Sequence, residues 1–153
     1  MAANSQFAVA THILTALTHI SRLGTGDSRG DRGRVSSETI ADRVNTNPVV
    51  VRRIVSELAK AGLIRSHQGK RGGLELSRDP EKITLYDVYQ AMGCPPVFAF
   101  NPNEPNPDCP VSSRMVDVLT PVFSYVQEGI QDRLESITLQ DLVHEIEEPT
   151  AVR

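Results

Sequence analysis

The sequence predicts a mainly α-helical chain with a small β-wing, and three patterns carry that prediction. Between Ser36 and Ala61 two runs of apolar residues recur at helical spacing across a polar turn. Two short apolar pairs, Leu63 with Ile64 and Leu74 with Leu76, then flank the glycine-rich HQGKRGG, as strands flank a hairpin turn. Finally, Val111, Met115, Val118, Leu119, Val122, Val126, Ile130, Leu134 and Ile137 follow one another in steps of three or four, with the single step from Val118 to Leu119 between. They predict a helix of roughly 28 residues, about 42 Å long. The whole reads as a winged helix-turn-helix followed by a long C-terminal dimerisation helix. Its parts are residues 1–92, a proline-rich loop over 93–109, and dimerisation helices over 110–148.

Taken in order, Phe7, Ala10, Ile13, Leu14, Leu17 and Ile20 give residues 5–23 as a supporting helix. His12 and His19 can share one of its faces, but with no Cys or acid ligands nearby they read as ordinary histidines. GTGDSRGDRGR, residues 24–34, has nothing apolar to bury and is expected as a solvated loop. The functional alternative is an arm placing Arg29, Arg32 and Arg34 on phosphates, with Asp27 and Asp31 diluting the charge. Ser36 can cap a helix that buries Ile40, Ala41 and Val44 and stops near Asn45. Thr46 or Asn47 can cap the next, Pro48 suits its first turn, and Gly62 ends it. On this second helix Val51, Ile54, Val55 and Leu58 form the inner stripe, leaving Asn47, Val49, Val50, Arg52, Arg53 and Ser56 elsewhere.

Beyond the hairpin, Thr84 and Asp87 make a capping box for a short helix through Met92, ended by Gly93. Pro95, Pro96, Pro102, Pro105 and Pro107 then forbid regular structure, so this loop is the candidate sensor region. Pro121 should kink or divide the long helix. Such a long stripe is more than one small domain covers, and a second copy is its expected partner. Thr138 with Asp141 repeats the capping box and opens the last helix.

Charge points to function. The net charge of −3 looks wrong for a nucleic-acid binder until it is resolved by region. Residues 101–150 hold ten acids against Arg114 and Arg133, whereas Arg52, Arg53, Lys60, Arg65, Lys70 and Arg71 face the single acid Glu57 in the winged segment. A helix whose N-terminal half carries arginines, followed by a basic hairpin, offers one element to the major groove of double-stranded DNA and another to phosphates. The plain alternative is a small helical core with a solvated hairpin. Ser36, Asn47, Val49, Val50, Arg52, Arg53 and Ser56, with Lys70, Arg71 and Gly72 on the wing, are the candidate DNA-binding residues. No Trp and 5% aromatics disfavour base stacking on single strands. No nucleophile, base and orienter are spaced for catalysis, which disfavours an enzyme. A protein-interaction module using the acidic helix is the competing reading. With two cysteines, no secretory segment and no membrane-length apolar run, the chain is expected in the cytoplasm, away from membranes.

The stretches IADRVNTNPVVVRRIVSELAKAGLI, GKRGGLEL, ITLYDVYQAM, DCPV and ITLQDLV, in that order, resemble the Rrf-two family of bacterial winged-helix regulators. The resemblance runs from about Phe7 to Val143. It implies a homodimeric operator-binding transcription factor, a repressor, whose loop before the dimer helix carries a sensor. Members holding an iron–sulfur cluster supply three cysteines from that loop, and this chain has only Cys94 and Cys109. A cluster needs four protein ligands, so no cofactor is expected. Redox chemistry at the two thiols, including a disulfide between them, is the sharper expectation, since a helix N-terminus beside Cys109 would favour thiolate. Two idle cysteines remain the simplest reading. Family members often carry Glu or Gln where this chain has Arg52 and Arg53, so their operators do not transfer.

Overall fold

A computed structural model of the chain describes residues 3–24, 34–69 and 72–148. Residues 25–33 of the loop expected over 24–34, and the wing residues Lys70 and Arg71, lie outside the described residues. The elements run α1 (Ala3–Leu23), α2 (Ser37–Val44), α3 (Pro48–Lys60), β1 (Ile64–His67), β2 (Gly73–Leu76), a 3-10 turn (Pro80–Lys82), α4 (Leu85–Ala91), α5 (Pro110–Glu135) and α6 (Leu139–Glu147). The fold is mainly helical with a two-stranded wing, as the sequence predicts.

One core holds the winged body together. α1 contributes Ala10, Ile13, Leu14, Leu17 and Ile20, α2 contributes Ile40, Ala41 and Val44, and α3 contributes Val51, Ile54, Val55 and Leu58. Burying one such aliphatic side chain is worth roughly 1.5–3 kcal/mol. β1 and β2 pair antiparallel with Ile64 opposite Leu76, Arg65 opposite Glu75 and Ser66 opposite Leu74. Ile64 and Leu74 turn inward to close the core beneath the wing. Val35 extends the hairpin: its amide donates to the Leu74 carbonyl (3.2 Å) and its carbonyl accepts from Leu74 (2.8 Å). The segment entering α2 is therefore stitched to the wing.

α6 returns to the body, where Leu139 and Val143 are fully buried. Both capping boxes form, Thr84 with Asp87 and Thr138 with Asp141, each side chain satisfying the other's backbone amide. They also lie together, because Leu85 donates to the Ile137 carbonyl (2.9 Å) and Leu139 to that of Ile83 (3.0 Å). Two helix N-termini side by side place like partial charges together, and the carboxylate in each box offsets that. Hydrogen bonds from Thr138, its backbone amide first, hold the Asp141 carboxyl below the usual carboxylate range.

Of the kink or division expected at Pro121, division does not occur, since α5 runs without interruption from Pro110 to Glu135. Its apolar residues also form two faces rather than one stripe. Leu119, Phe123, Val126, Ile130 and Leu134 are half-buried. Val111 (64%), Val118 (56%), Val122 (51%) and Tyr125 (78%) stand exposed, and no α5 residue is fully buried. On one flank the helix meets α4 and the proline-rich loop, where the rings of Phe98 and Phe100 each lie tilted against Phe123 with centroids 5.1 Å apart.

Candidate nucleic-acid interface

The turn between α2 and α3 sets the orientation of the reading helix. Asn45 adopts φ 51°, a left-handed conformation that Asn tolerates, and ends α2. Asn47 then caps α3, its side-chain oxygen accepting from the Val49 amide at 2.8 Å, with Pro48 in the first turn. Ser36 caps α2 in the same way, its hydroxyl accepting from the Thr39 amide at 3.1 Å. Ser36 is half-buried while Asn47 is exposed. Asn47 thus stands at the solvent edge of the turn with its side-chain oxygen engaged in the cap bond.

α3 sorts its residues as the periodicity requires. Val51, Ile54, Val55 and Leu58 are buried, while Val49, Arg52, Arg53 and Ser56 are exposed, Val49 to 66%. Val50 lies between, partly packed on the core. The Arg52 Nε donates to the Pro48 carbonyl at 3.3 Å, folding its guanidinium toward the N-terminal end of the helix. Arg53 takes the other flank and lines a cavity of about 400 Å³ with Glu57, Gln6, Gln90 and Gly93. Lys60 is engaged by Glu57 at 2.8 Å in an exposed pair, which reduces its weight in the basic face.

The wing is braced at its base by contacts that periodicity does not reveal. Glu75 accepts from the His67 Nε2 (2.7 Å) and from the Arg34 Nε (3.2 Å), so one carboxylate ties both strands to the segment before α2. The His67 hydrogen bond, opposed by burial and supported by Arg34, holds the Glu75 carboxyl below its usual range. Gly72 donates to the Gly69 carbonyl at 2.8 Å, and a Cβ there would run into the His67 carbonyl. The hairpin therefore needs glycine at Gly72 for closure, apart from any part in binding. Gly69 (φ 97°) turns the tip in a region side chains avoid.

The geometry is a solvent-facing helix with arginines toward its N-terminal half, beside a braced hairpin. Comparison with known proteins decides the family: residues 3–145 match Rrf2, described as iron-dependent transcriptional regulator. The chain belongs to the Rrf2 family. It is 39% identical over 144 residues to YwnA of Bacillus subtilis, assigned as an HTH-type transcriptional regulator, covering 94% of this chain and 98% of that one. Its fold matches the T. potens IscR structure with a TM-score of 0.67 at 24% identity, over 97% of this chain and 90% of that one. The structure of CymR, the global cysteine regulator of B. subtilis, matches with a TM-score of 0.61 at 23% identity, over 90% and 92%. This Rrf2 chain is thus a transcriptional regulator with a DNA-binding winged-helix fold. No helix among the described residues is long and apolar enough to cross a membrane.

Iron, named in the family description, finds no matching donor set among the described residues of this Rrf2 chain. It has two cysteines, and among the described residues no three His, Cys, Asp or Glu side chains gather as a metal site would require. Neither cysteine is joined in a disulfide among the described residues. Cys94 packs against the core, and burial pushes its thiol up, away from thiolate. Cys109 sits at the N-terminal cap of α5 without a capping hydrogen bond from its side chain. The two thiols therefore differ in setting, which their symmetrical placement around the loop does not suggest.

Proposed function

We propose that this Rrf2 regulator is a homodimer that binds a near-palindromic double-stranded operator and represses transcription by occupying it. The observation that carries the homodimer is α5. Val111, Val118, Val122 and Tyr125 line up in steps of seven, four and three on one exposed face, a seam that a second α5 fits knob against hole. A two-fold pair presents its α3 helices about 34 Å apart, one turn of DNA. Within each half-site Arg52 and Arg53 reach bases and flanking phosphates, with Asn47, Val49, Val50 and Ser56 beside them, while Ser36 and Gly72 approach the backbone. Lys70 and Arg71 on the wing tip neutralise phosphates.

Thiol modulation belongs to Cys109, since Cys94 packs against the core and burial pushes its thiol up, away from thiolate. The effect would run through the start of α5 and so through the pairing of subunits.

Gel shifts of genomic fragments at several salt concentrations test the residue roles. Joint replacement of Lys70 and Arg71 by Ala should weaken binding to all sequences and reduce the salt slope by about two. Arg52→Ala and Arg53→Ala should each cost about 1–3 kcal/mol and relax sequence preference. Unchanged binding in both sets removes these assignments.

A further inference from the structure

The flank of α5 opposite its exposed stripe carries a second feature, unrelated to the thiols. Phe98, Phe100 and Phe123 form an aromatic cluster outside the core, with Phe98 still 48% and Phe100 40% exposed. They wall a cavity of about 610 Å³ whose polar edge is Gln127, Glu128 and Gln131. That volume is in the range of small-molecule sites. Its loop wall is held in place: the Tyr89 hydroxyl donates to the Pro95 carbonyl at 2.7 Å, and the Val97 amide donates to the Gln127 Oε1 at 3.3 Å. Pro95 and Pro96 restrict the backbone between these anchors. A site formed before its ligand arrives spends little on ordering.

Charge and position define what fits. Glu128 is the one ionisable group among the lining residues, and it has no ion-pair partner among the described residues. The Gln131 Nε2 donates to the Glu135 Oε1 at 2.8 Å, which leaves the Gln131 carbonyl oxygen as an acceptor. A carboxylate and three phenyl rings lining one cavity attract a cation, the carboxylate by its charge and the rings by their quadrupoles. Phe123, Gln127 and Gln131 lie about a third to half a turn around α5 from Val118 and Val122. A second subunit seated on the Val118 face therefore leaves this cavity open. From this geometry we propose that the cavity between the 95–100 segment and α5 binds a hydrophobic organic cation, an aromatic or polycyclic ammonium. Its role as an effector of operator binding rests on the regulator reading above; the binding itself does not.

Titrating the full chain into rhodamine 6G, a polycyclic organic cation, and following fluorescence polarisation tests the site, with fluorescein as the anionic comparator. Saturable binding of one dye per chain is expected, weakened about tenfold by Glu128→Gln and by Phe123→Ala. Phe98→Leu, which removes a ring without emptying the volume, should weaken it about fivefold and guards against a folding defect in Phe123→Ala. Ile146→Ala, an exposed apolar position on α6 outside the cavity, should leave it unchanged. Equal binding of fluorescein, indifference to Glu128→Gln, or loss on Ile146→Ala overturns the proposal, the last by placing the dye away from the cavity. Operator affinity with and without saturating dye is measured separately: a change supports the effector role, and none overturns that role alone. Failure of the chain to bind any DNA defeats the regulator reading and leaves the cation site standing.

Discussion

The winged body brings Ile13, Leu17, Ile54 and Leu58 to 0–1% exposure, whereas the 26-residue α5 fully buries none of its residues. Both regions are written in the same periodic apolar code. The difference lies in what surrounds them: α3 is flanked by α1, α2, α4 and the wing, while α5 meets its own chain on one flank only. A periodic stripe thus specifies a helix and a sticky face, and says nothing of which chain covers it. In the body the cover is local and cooperative. Along α5 its own chain leaves Val111, Val118, Val122 and Tyr125 exposed, the face on which the proposed second copy would sit.

Several substitutions separate the two regions. The largest effect is expected from Val118→Asp combined with Val122→Asp. Sedimentation should show monomer in place of dimer while the far-UV circular dichroism is retained, because these side chains stand exposed and outside the core of their own subunit. Operator affinity should fall on the order of a hundredfold through lost bivalency. A variant that stays dimeric would show that the stripe is not the interface. Leu58→Ala should do the reverse, lowering the stability of the body by about 2–5 kcal/mol in urea melts through a cavity beneath α3.

Thr138→Ala and Thr84→Ala should each cost about 1 kcal/mol by the same measurement, since each leaves a helix start without its cap. Similar losses would confirm that α4 and α6 are anchored as a pair. The smallest effect concerns pH. Glu75 and Asp141 both have carboxyl groups held below their usual range, so their stabilisation is full above the unfolded values and is lost as pH falls through the lowered folded ones. Acid unfolding should therefore steepen only below the ordinary carboxylate range, and Glu75→Gln should remove part of that dependence.

Much of this was legible beforehand for physical reasons. The α3 stripe, the cap at Ser36, the α3 cap narrowed to Thr46 or Asn47, and both Thr–Asp boxes are local patterns in which neighbouring residues answer one another's backbone needs. The pairing of Val35 with Leu74 was not, because one residue bridging across a loop leaves no period to read. Nor was the brace of His67 and Arg34 on Glu75, whose partners are brought together only by strand register. Periodicity merged the two faces of α5, since Leu119 and Val118 both fit steps of three and four. Only the docking of Phe98 and Phe100 on Phe123 shows which flank the chain itself covers. The fold was therefore more legible than the site, where long-range contacts decide which charges remain available.

Hydroxyl-radical footprinting of a selected genomic site, read on both strands, tests most directly whether reading helices are presented to DNA in pairs. Two protected patches about 34 Å apart, related by a two-fold axis and both lost with the Val118→Asp, Val122→Asp variant, are predicted. A single protected patch that survives in that variant would contradict it.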